Sequence, residues 1–93
     1  GGEPMQNLEL IEVLKSVKAS VNKPIWIYSG YTYEEILENE KRTELLKLCD
    51  VLVDGRFVEE LKDLKLRFRG SSNQRIIDIK QSMEQEKVIL FME

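Results

Sequence analysis

The chain has 93 residues, of which 42% are hydrophobic and 33% charged, and its formal net charge is −3. This composition predicts one small soluble globular domain with a single modest core. The net negative charge argues against nucleic acid and against an acidic membrane surface as partners. With one cysteine and no histidine, the sequence provides no internal disulfide framework, no zinc site and no set of thiolates for an iron–sulfur cluster. The same cysteine usage is typical of a reducing cytoplasm.

The chain opens with Gly-Gly-Glu-Pro at positions 1–4, ahead of an amphipathic segment. Glycine has no Cβ, so the pair lets a ligand approach the backbone closely. Pro4 suits the first turn of a helix, where its missing N–H costs nothing. Apolar residues then recur at helical spacing from Leu10 to Val21, which predicts a helix that ends before Pro24. Taken alone, the tetrapeptide also fits a helix-entry turn or a cloning remnant.

A strand and a helix are predicted next. Residues 25–28, Ile-Trp-Ile-Tyr, form a β-branched and aromatic run of strand length, and Ser29-Gly30 ends it. Thr32 and Glu35 have capping-box spacing, in which each side chain bonds to the other residue's backbone amide, so a helix is expected here. Beyond a polar break at residues 39–42, three leucines between positions 45 and 48 continue this helix or form a second one.

Residues 49–55, Cys-Asp-Val-Leu-Val-Asp-Gly, predict a second strand. Its apolar residues do not alternate with polar ones, as in a parallel strand that is covered on both faces. The order helix, strand, helix, strand therefore predicts an α/β fold, with two βα units on a parallel sheet. Ligands of such sheets collect at the carboxyl ends of the strands, which here are Ser29-Gly30 and Asp54-Gly55. Residues 1–4 are expected on the same rim, as the tip of an upstream strand.

The last third of the chain is predicted as a β-rich or mixed segment. A short charged helix is expected from Phe57 to Leu66, followed by a polar, basic loop at residues 67–75. Two further strands are expected at residues 75–79 and 87–91, although the isoleucines of the first also fit one face of a helix.

Four blocks of sequence carry a family signal. They are Gly-Gly-Glu-Pro-Met at 1–5, Trp-Ile-Tyr-Ser-Gly-Tyr-Thr at 26–32, Cys-Asp-Val-Leu-Val-Asp-Gly-Arg-Phe at 49–57 and Arg-Phe-Arg-Gly-Ser-Ser-Asn-Gln-Arg at 67–75. In this order they resemble the radical SAM activases of anaerobic ribonucleotide reductases. The resemblance implies a partial (βα) barrel and an enzyme that cleaves S-adenosylmethionine reductively at a 4Fe-4S cluster. The 5′-deoxyadenosyl radical then abstracts hydrogen from a glycine of the reductase.

The family's cluster-binding loop, C-x3-C-x2-C, is missing from this sequence. Cys49 does not replace it, because one thiolate lacks the spacing for any cluster, and we interpret Cys49 as a small buried core residue. We therefore expect one domain over residues 1–93, the C-terminal part of an activase that lacks the cluster-binding N-terminal part and is inactive alone. The resemblance implies the large subunit of the anaerobic reductase as the protein substrate.

The resemblance also implies a cofactor site for S-adenosylmethionine on the rim. Glu3 and the two preceding glycines would meet the amino group of the methionine moiety, since carboxylates and backbone carbonyls accept hydrogen bonds. Asp54 closes a buried run, so its carboxylate must be solvated, paired or bound to a ligand. Ordinary Ser-Gly and Asp-Gly turns are the simpler interpretations of the two strand ends. The predicted cofactor-binding residues are Gly1, Gly2, Glu3, Pro4, Ser29, Gly30, Asp54 and Asn73.

Basic residues cluster in the loop after Leu66 and are predicted to bind a partner. The predicted partner-binding residues are Arg67, Arg69 and Arg75. A solvated charged face is the simpler interpretation of such a run. The alternative to an enzyme is a non-catalytic binding module, in which this loop docks an acidic protein or a nucleotide. A third hypothesis is a structural unit whose unpaired sheet edge drives self-association.

Overall fold

The computed structural model describes residues 3–20 and 22–92. The predicted contacts of Gly1 and Gly2 with a cofactor therefore lie outside the described residues. Single 3-10 turns occur at Pro4–Gln6 and Glu59–Leu61. The helices and strands are, in chain order, α1 (Leu10–Ser20), β1 (Trp26–Tyr28), α2 (Tyr33–Leu37), α3 (Glu40–Leu46), β2 (Val51–Asp54), β3 (Arg75–Asp78), α4 (Ile79–Gln85) and β4 (Leu90–Met92). Among the described helices, none has the length and apolar character to cross a membrane.

Side-chain caps define where α2 and α3 begin. The predicted capping box is present: the amide of Glu35 donates to the Thr32 hydroxyl at 3.1 Å, and the amide of Thr32 donates to the Glu35 carboxylate at 2.8 Å. The Asn39 side chain accepts a hydrogen bond from the amide of Arg42 at 3.0 Å. The polar break thus starts a separate helix, because its asparagine satisfies an amide that the first turn leaves unpaired.

The four strands form one mixed sheet in the order β1-β2-β3-β4. Strands β1 and β2 are parallel, as predicted, whereas β3 is antiparallel to both of its neighbours. The prediction of a parallel sheet is therefore correct only for the first pair. A parallel return needs a long crossover, usually helical. The helix predicted over residues 57–66 is wrong, since only the single turn Glu59–Leu61 forms there. Without a helical crossover, the chain re-enters the sheet beside the carboxyl end of β2, so β3 runs antiparallel to β2.

The segment from 75 to 92 combines both interpretations of its sequence. Strands form at its two ends, and a helix lies between them. The helix begins where it does because the Asp78 carboxylate accepts a hydrogen bond from the amide of Gln81 at 2.9 Å. Ile76 and Ile77 therefore belong to the strand, whereas Ile79 lies in the helix.

Apolar side chains pack on both faces of the sheet. On one face the helices cover the main core, to which Ile27, Leu52 and Ile77 contribute from the three consecutive strands. On the other face Trp26 and Met92 pack against a smaller buried group of β2 and β3 residues. The sheet thus holds the carboxyl ends of β1 and β2 and the amino end of β3 at one edge.

Candidate functional site

Glu3 ties the segment before α1 to the end of β1. One of its carboxylate oxygens accepts hydrogen bonds from the Ser29 hydroxyl at 2.8 Å and the Met5 amide at 2.9 Å. The other accepts from the Gly30 amide at 2.6 Å. Three predicted cofactor residues, Glu3, Ser29 and Gly30, thus lie together. A carboxylate accepts about four hydrogen bonds, and residues of the described part of the chain fill three of these places on Glu3, which leaves roughly one for a ligand.

Asp54 is buried and fully paired at the end of β2. Only 1% of it is exposed to solvent. One carboxylate oxygen accepts from the Tyr33 amide at 2.8 Å and from the Arg75 guanidinium at 2.5 Å. The other accepts from Nε of Arg75 at 3.1 Å and from the Arg75 backbone amide at 3.3 Å. The sequence left this carboxylate to be solvated, paired or bound to a ligand, and in the structure it is paired with Arg75.

Arg75 joins Asp54 to the first turn of α2. Its guanidinium also donates to the two carboxylate oxygens of Glu34, at 2.6 and 3.3 Å. These hydrogen bonds lower the pKa of Glu34, and the two carboxylates raise the pKa of Arg75. Arg75 thus stays charged and locks α2 to β2 and β3.

One open cavity of about 540 Å³ lies at this edge of the sheet. Its wall combines residues from the ends of three strands with the first turn of α2. Of the predicted cofactor residues, Gly30, Asp54 and Asn73 line it, and so does Arg75. A smaller recess of about 230 Å³ holds Glu3, Pro4 and Ser29, and the two spaces share Gly30. The remaining lining residues of the larger cavity are Thr32, Glu34, Glu35, Gly55 and Arg56.

Asn73 shapes the turn that follows β2. Its amide nitrogen donates to the carbonyl of Arg56 at 2.8 Å, and its amide oxygen accepts from the Ser71 hydroxyl at 2.6 Å. Gly55 has φ +96°, a left-handed conformation that favours glycine. These features hold the backbone around Arg56 in place beside the cavity.

Arg56 lines the cavity but is not among the site residues that the sequence predicts. Within the described part of the chain, its guanidinium makes no hydrogen bond and no ion pair with a side chain. Two of the described residues that line this cavity are cations. Arg75 is paired with Glu34 and Asp54, so of these two Arg56 is the one left for an anionic ligand. The signal in the sequence is its position two residues after Asp54, at the end of a strand.

The three arginines predicted to bind a partner do not form one patch. Arg75 lines the cavity, as described above. Arg69 donates to the backbone carbonyl of Gln74 at 2.6 Å. Arg67 is exposed, and its guanidinium lies 5.5 Å from the ring centre of Phe68. The geometry therefore separates Arg67 from the other two.

An iron–sulfur cluster does not fit these residues. Cys49 lies just before β2 in the main core, fully buried as predicted. Burial raises the pKa of its thiol to about 11, which opposes the thiolate that a cluster needs. Among residues 3–20 and 22–92, no group of three or more His, Cys, Asp or Glu side chains is placed to hold a metal ion.

Comparison with known families matches residues 1–77 to the "4Fe-4S single cluster domain". Several curated proteins are similar, and each bears the name anaerobic ribonucleoside-triphosphate reductase-activating protein. The protein of Escherichia coli (strain K12) is 40% identical over 80% of this chain and 49% of its own length. That of Vibrio cholerae is 41% identical over 82% and 50%, and that of Enterobacteria phage T4 is 45% identical over 82% and 48%. The chain thus spans about half the length of these relatives. No solved structure matches it significantly.

Proposed function

The chain belongs to the 4Fe-4S single cluster domain family, and we propose that it forms the S-adenosylmethionine-binding part of an enzyme that activates an anaerobic ribonucleoside-triphosphate reductase. In this proposal the fold is part of a radical SAM (βα) barrel, and the protein works in the reducing cytoplasm. When bound, S-adenosylmethionine supplies the group that abstracts hydrogen from a glycine of the reductase. The cluster's thiolates come from outside these 93 residues, which contain one cysteine.

The observation that carries the proposal is the mixed charge of the rim cavity. S-adenosylmethionine is a zwitterion at its methionine end, so its site needs acceptors for an ammonium and donors for a carboxylate. The cavity offers both, because Glu34 and Glu35 line it together with Arg56. Hydrogen bonds from the backbone and hydroxyl of Thr32 lower the pKa of Glu35, so that carboxyl group is ionised at neutral pH.

Each side chain of the rim has a separate role in this proposal. Arg56 binds the carboxylate of the cofactor by a charge-assisted hydrogen bond. Glu3, in the adjoining recess, positions the turn at Gly30, and its remaining acceptor place adds to those of Glu34 and Glu35 for the ammonium group. The charges of Asp54 and Arg75 are already paired with each other, so neither residue uses its charge to bind the cofactor. They hold the cavity wall in one conformation.

The test uses the protein produced from the complete open reading frame that encodes these residues, reconstituted with iron and sulfide without oxygen. Arg56→Ala should weaken binding of S-adenosylmethionine roughly ten- to a hundredfold, because a hydrogen bond to a charged group contributes about 1.5–3 kcal/mol. Arg67→Ala is the matched control and should bind like the wild type. Unchanged affinity of the Arg56 variant, or no reductive cleavage of S-adenosylmethionine by the wild type, would refute the proposal.

A further inference from the structure

Residues 62–70 form a hydrogen-bonded loop, which we call the basic finger. Its base is closed by an antiparallel bridge between Lys62 and Ser71 and by a hydrogen bond from the Asp63 amide to the Gly70 carbonyl at 3.3 Å. At its tip, the Asp63 side chain accepts from the amide of Lys65 at 2.9 Å. The finger is therefore ordered by its own contacts before any partner binds.

The base of the finger is packed against the sheet. Ser71 is fully buried, and its hydroxyl accepts from the Val58 amide at 3.2 Å. Phe68 has φ 65°, a conformation that is uncommon for an aromatic residue. Its ring lies 5.2 Å from that of Trp26, and this packing offsets the backbone strain. Phe68 thus fixes the finger to the sheet through Trp26, while about half of its own surface, 47%, remains exposed.

The tip of the finger combines an exposed apolar side chain with a concentration of positive charge. Leu64 is 91% exposed, more than any other large hydrophobic residue among those described. The finger carries four cations and one anion, a net charge of +3. The other 84 residues carry ten cations and sixteen anions, a net charge of −6. Lys62, Lys65 and Arg67 form no salt bridge within the described part of the chain.

We propose that the basic finger docks on an acidic patch of a partner protein, with Leu64 inserted into an apolar recess and Lys62, Lys65 and Arg67 set against carboxylates around it. Charge complementarity steers such an encounter, and the buried leucine then slows dissociation. A nucleic acid fits less well, because a phosphate backbone gives Leu64 nothing to bury against and the rest of the chain repels it. The partner's identity as the reductase rests on the proposed function.

This surface differs from the arginine set that the sequence predicts. Arg75 is excluded because both of its neighbouring carboxylates bind it at the cavity. Arg69 is excluded because its guanidinium is bonded to Gln74. Leu64 is part of the proposed surface because its side chain is almost fully exposed in the isolated chain, so it can be buried only in a complex.

The experiment measures the affinity of the protein from the complete reading frame for the anaerobic reductase of the same genome, by titration calorimetry at low and high salt. Leu64→Asp and the double variant Lys65→Glu/Arg67→Glu should each bind at least tenfold more weakly. The double variant should also show a smaller salt dependence. The control is Lys15→Glu/Lys47→Glu, which changes the net charge by the same amount at exposed lysines outside the finger. Its affinity for the reductase should stay within twofold of that of the wild type.

Two outcomes would overturn the inference: finger variants within twofold of the wild type, or no complex with the reductase at all. Binding of a single-stranded RNA probe that the same substitutions abolish would overturn it in favour of a nucleic acid. Reductive cleavage of S-adenosylmethionine without reductase separates the two proposals. The finger variants should retain it, and its absence in the wild type would count against the proposed function alone.

Discussion

Replacing Arg75 by methionine should destabilise the chain through the carboxylate that it leaves behind. Methionine keeps an apolar stem of similar length, so the change removes the guanidinium and little packing. Asp54 then stays in a site where it is 1% exposed, with only the backbone amides of Tyr33 and Arg75 as donors. A buried charge that has lost its partner is the main source of the expected cost.

The magnitude follows from the burial of each partner. Breaking a fully buried ion pair costs about 3–5 kcal/mol. The side chain of Arg75 is 34% exposed, whereas that of Asp54 is 1% exposed, so we expect the low end, about 3 kcal/mol. A chain of this length has a free energy of unfolding of roughly 5–14 kcal/mol, and the variant would lose a substantial part of it.

Urea unfolding measures this loss through the fluorescence of Trp26, the single tryptophan. The midpoint should fall while the m-value stays unchanged. Asp54→Asn/Arg75→Met should be more stable than Arg75→Met alone, because the stranded charge is gone. A cost below about 1 kcal/mol for Arg75→Met, or a double variant that costs the sum of the two singles, would refute the reasoning.

The pH dependence of stability provides a second test of the contacts that Arg75 makes with Asp54 and Glu34. The Arg75 guanidinium lowers the pKa of Glu34 from its usual 4.5. A carboxyl whose folded pKa is lowered adds stability above its unfolded pKa, and loses it as the pH falls through the folded pKa. Wild-type stability should therefore decline below about pH 4.5 partly through Glu34. This part of the decline should be absent in Arg75→Met.

Two further predictions concern backbone strain and the thiol. Gly55→Ala should cost about 1–3 kcal/mol in thermal unfolding, because φ +96° is strained for a residue with a Cβ; a melting temperature equal to that of the wild type would contradict this. Burial raises the pKa of Cys49 from 9.0 to about 11, so the unfolded chain ionises first and stability should fall by up to about 3 kcal/mol between these pH values. Cys49→Ala should remove this decline, and an identical pH profile in the two proteins would exclude the thiol as its cause.

The first half of the fold was predictable because its signals are local. The capping box of Thr32 and Glu35 depends on residues three positions apart, and the strand at residues 26–28 depends on its own β-branched and aromatic composition. The direction of β3 was not predictable in this way. The direction of β3 depends on the path by which residues 55–74 lead the chain back to the sheet. These residues form a charged run with three leucines, and such a run predicts a helix with buried leucines, whereas Leu64 is exposed to solvent.

The candidate site was predictable in its residue types and not in its pairing. The end of a buried strand marks Asp54 as a carboxylate that needs a partner, and this requirement was visible in the sequence. The partner is 21 positions away, in a stretch that reads as a basic loop. Only the antiparallel register, which sets Asp54 opposite Arg75, shows that this arginine belongs to the cavity.

The connection between β2 and β3 serves both proposed surfaces. Its two ends carry Arg56 and Asn73 to the cavity, and its middle forms the basic finger. Ser71, which closes the finger, bonds to Asn73 at 2.6 Å, and Asn73 bonds to the Arg56 carbonyl at 2.8 Å. A cofactor that binds Arg56 and a partner that binds the finger would therefore contact the two ends of one chain of hydrogen bonds. By linkage, any gain in cofactor affinity caused by the partner must be matched by an equal gain in partner affinity caused by the cofactor.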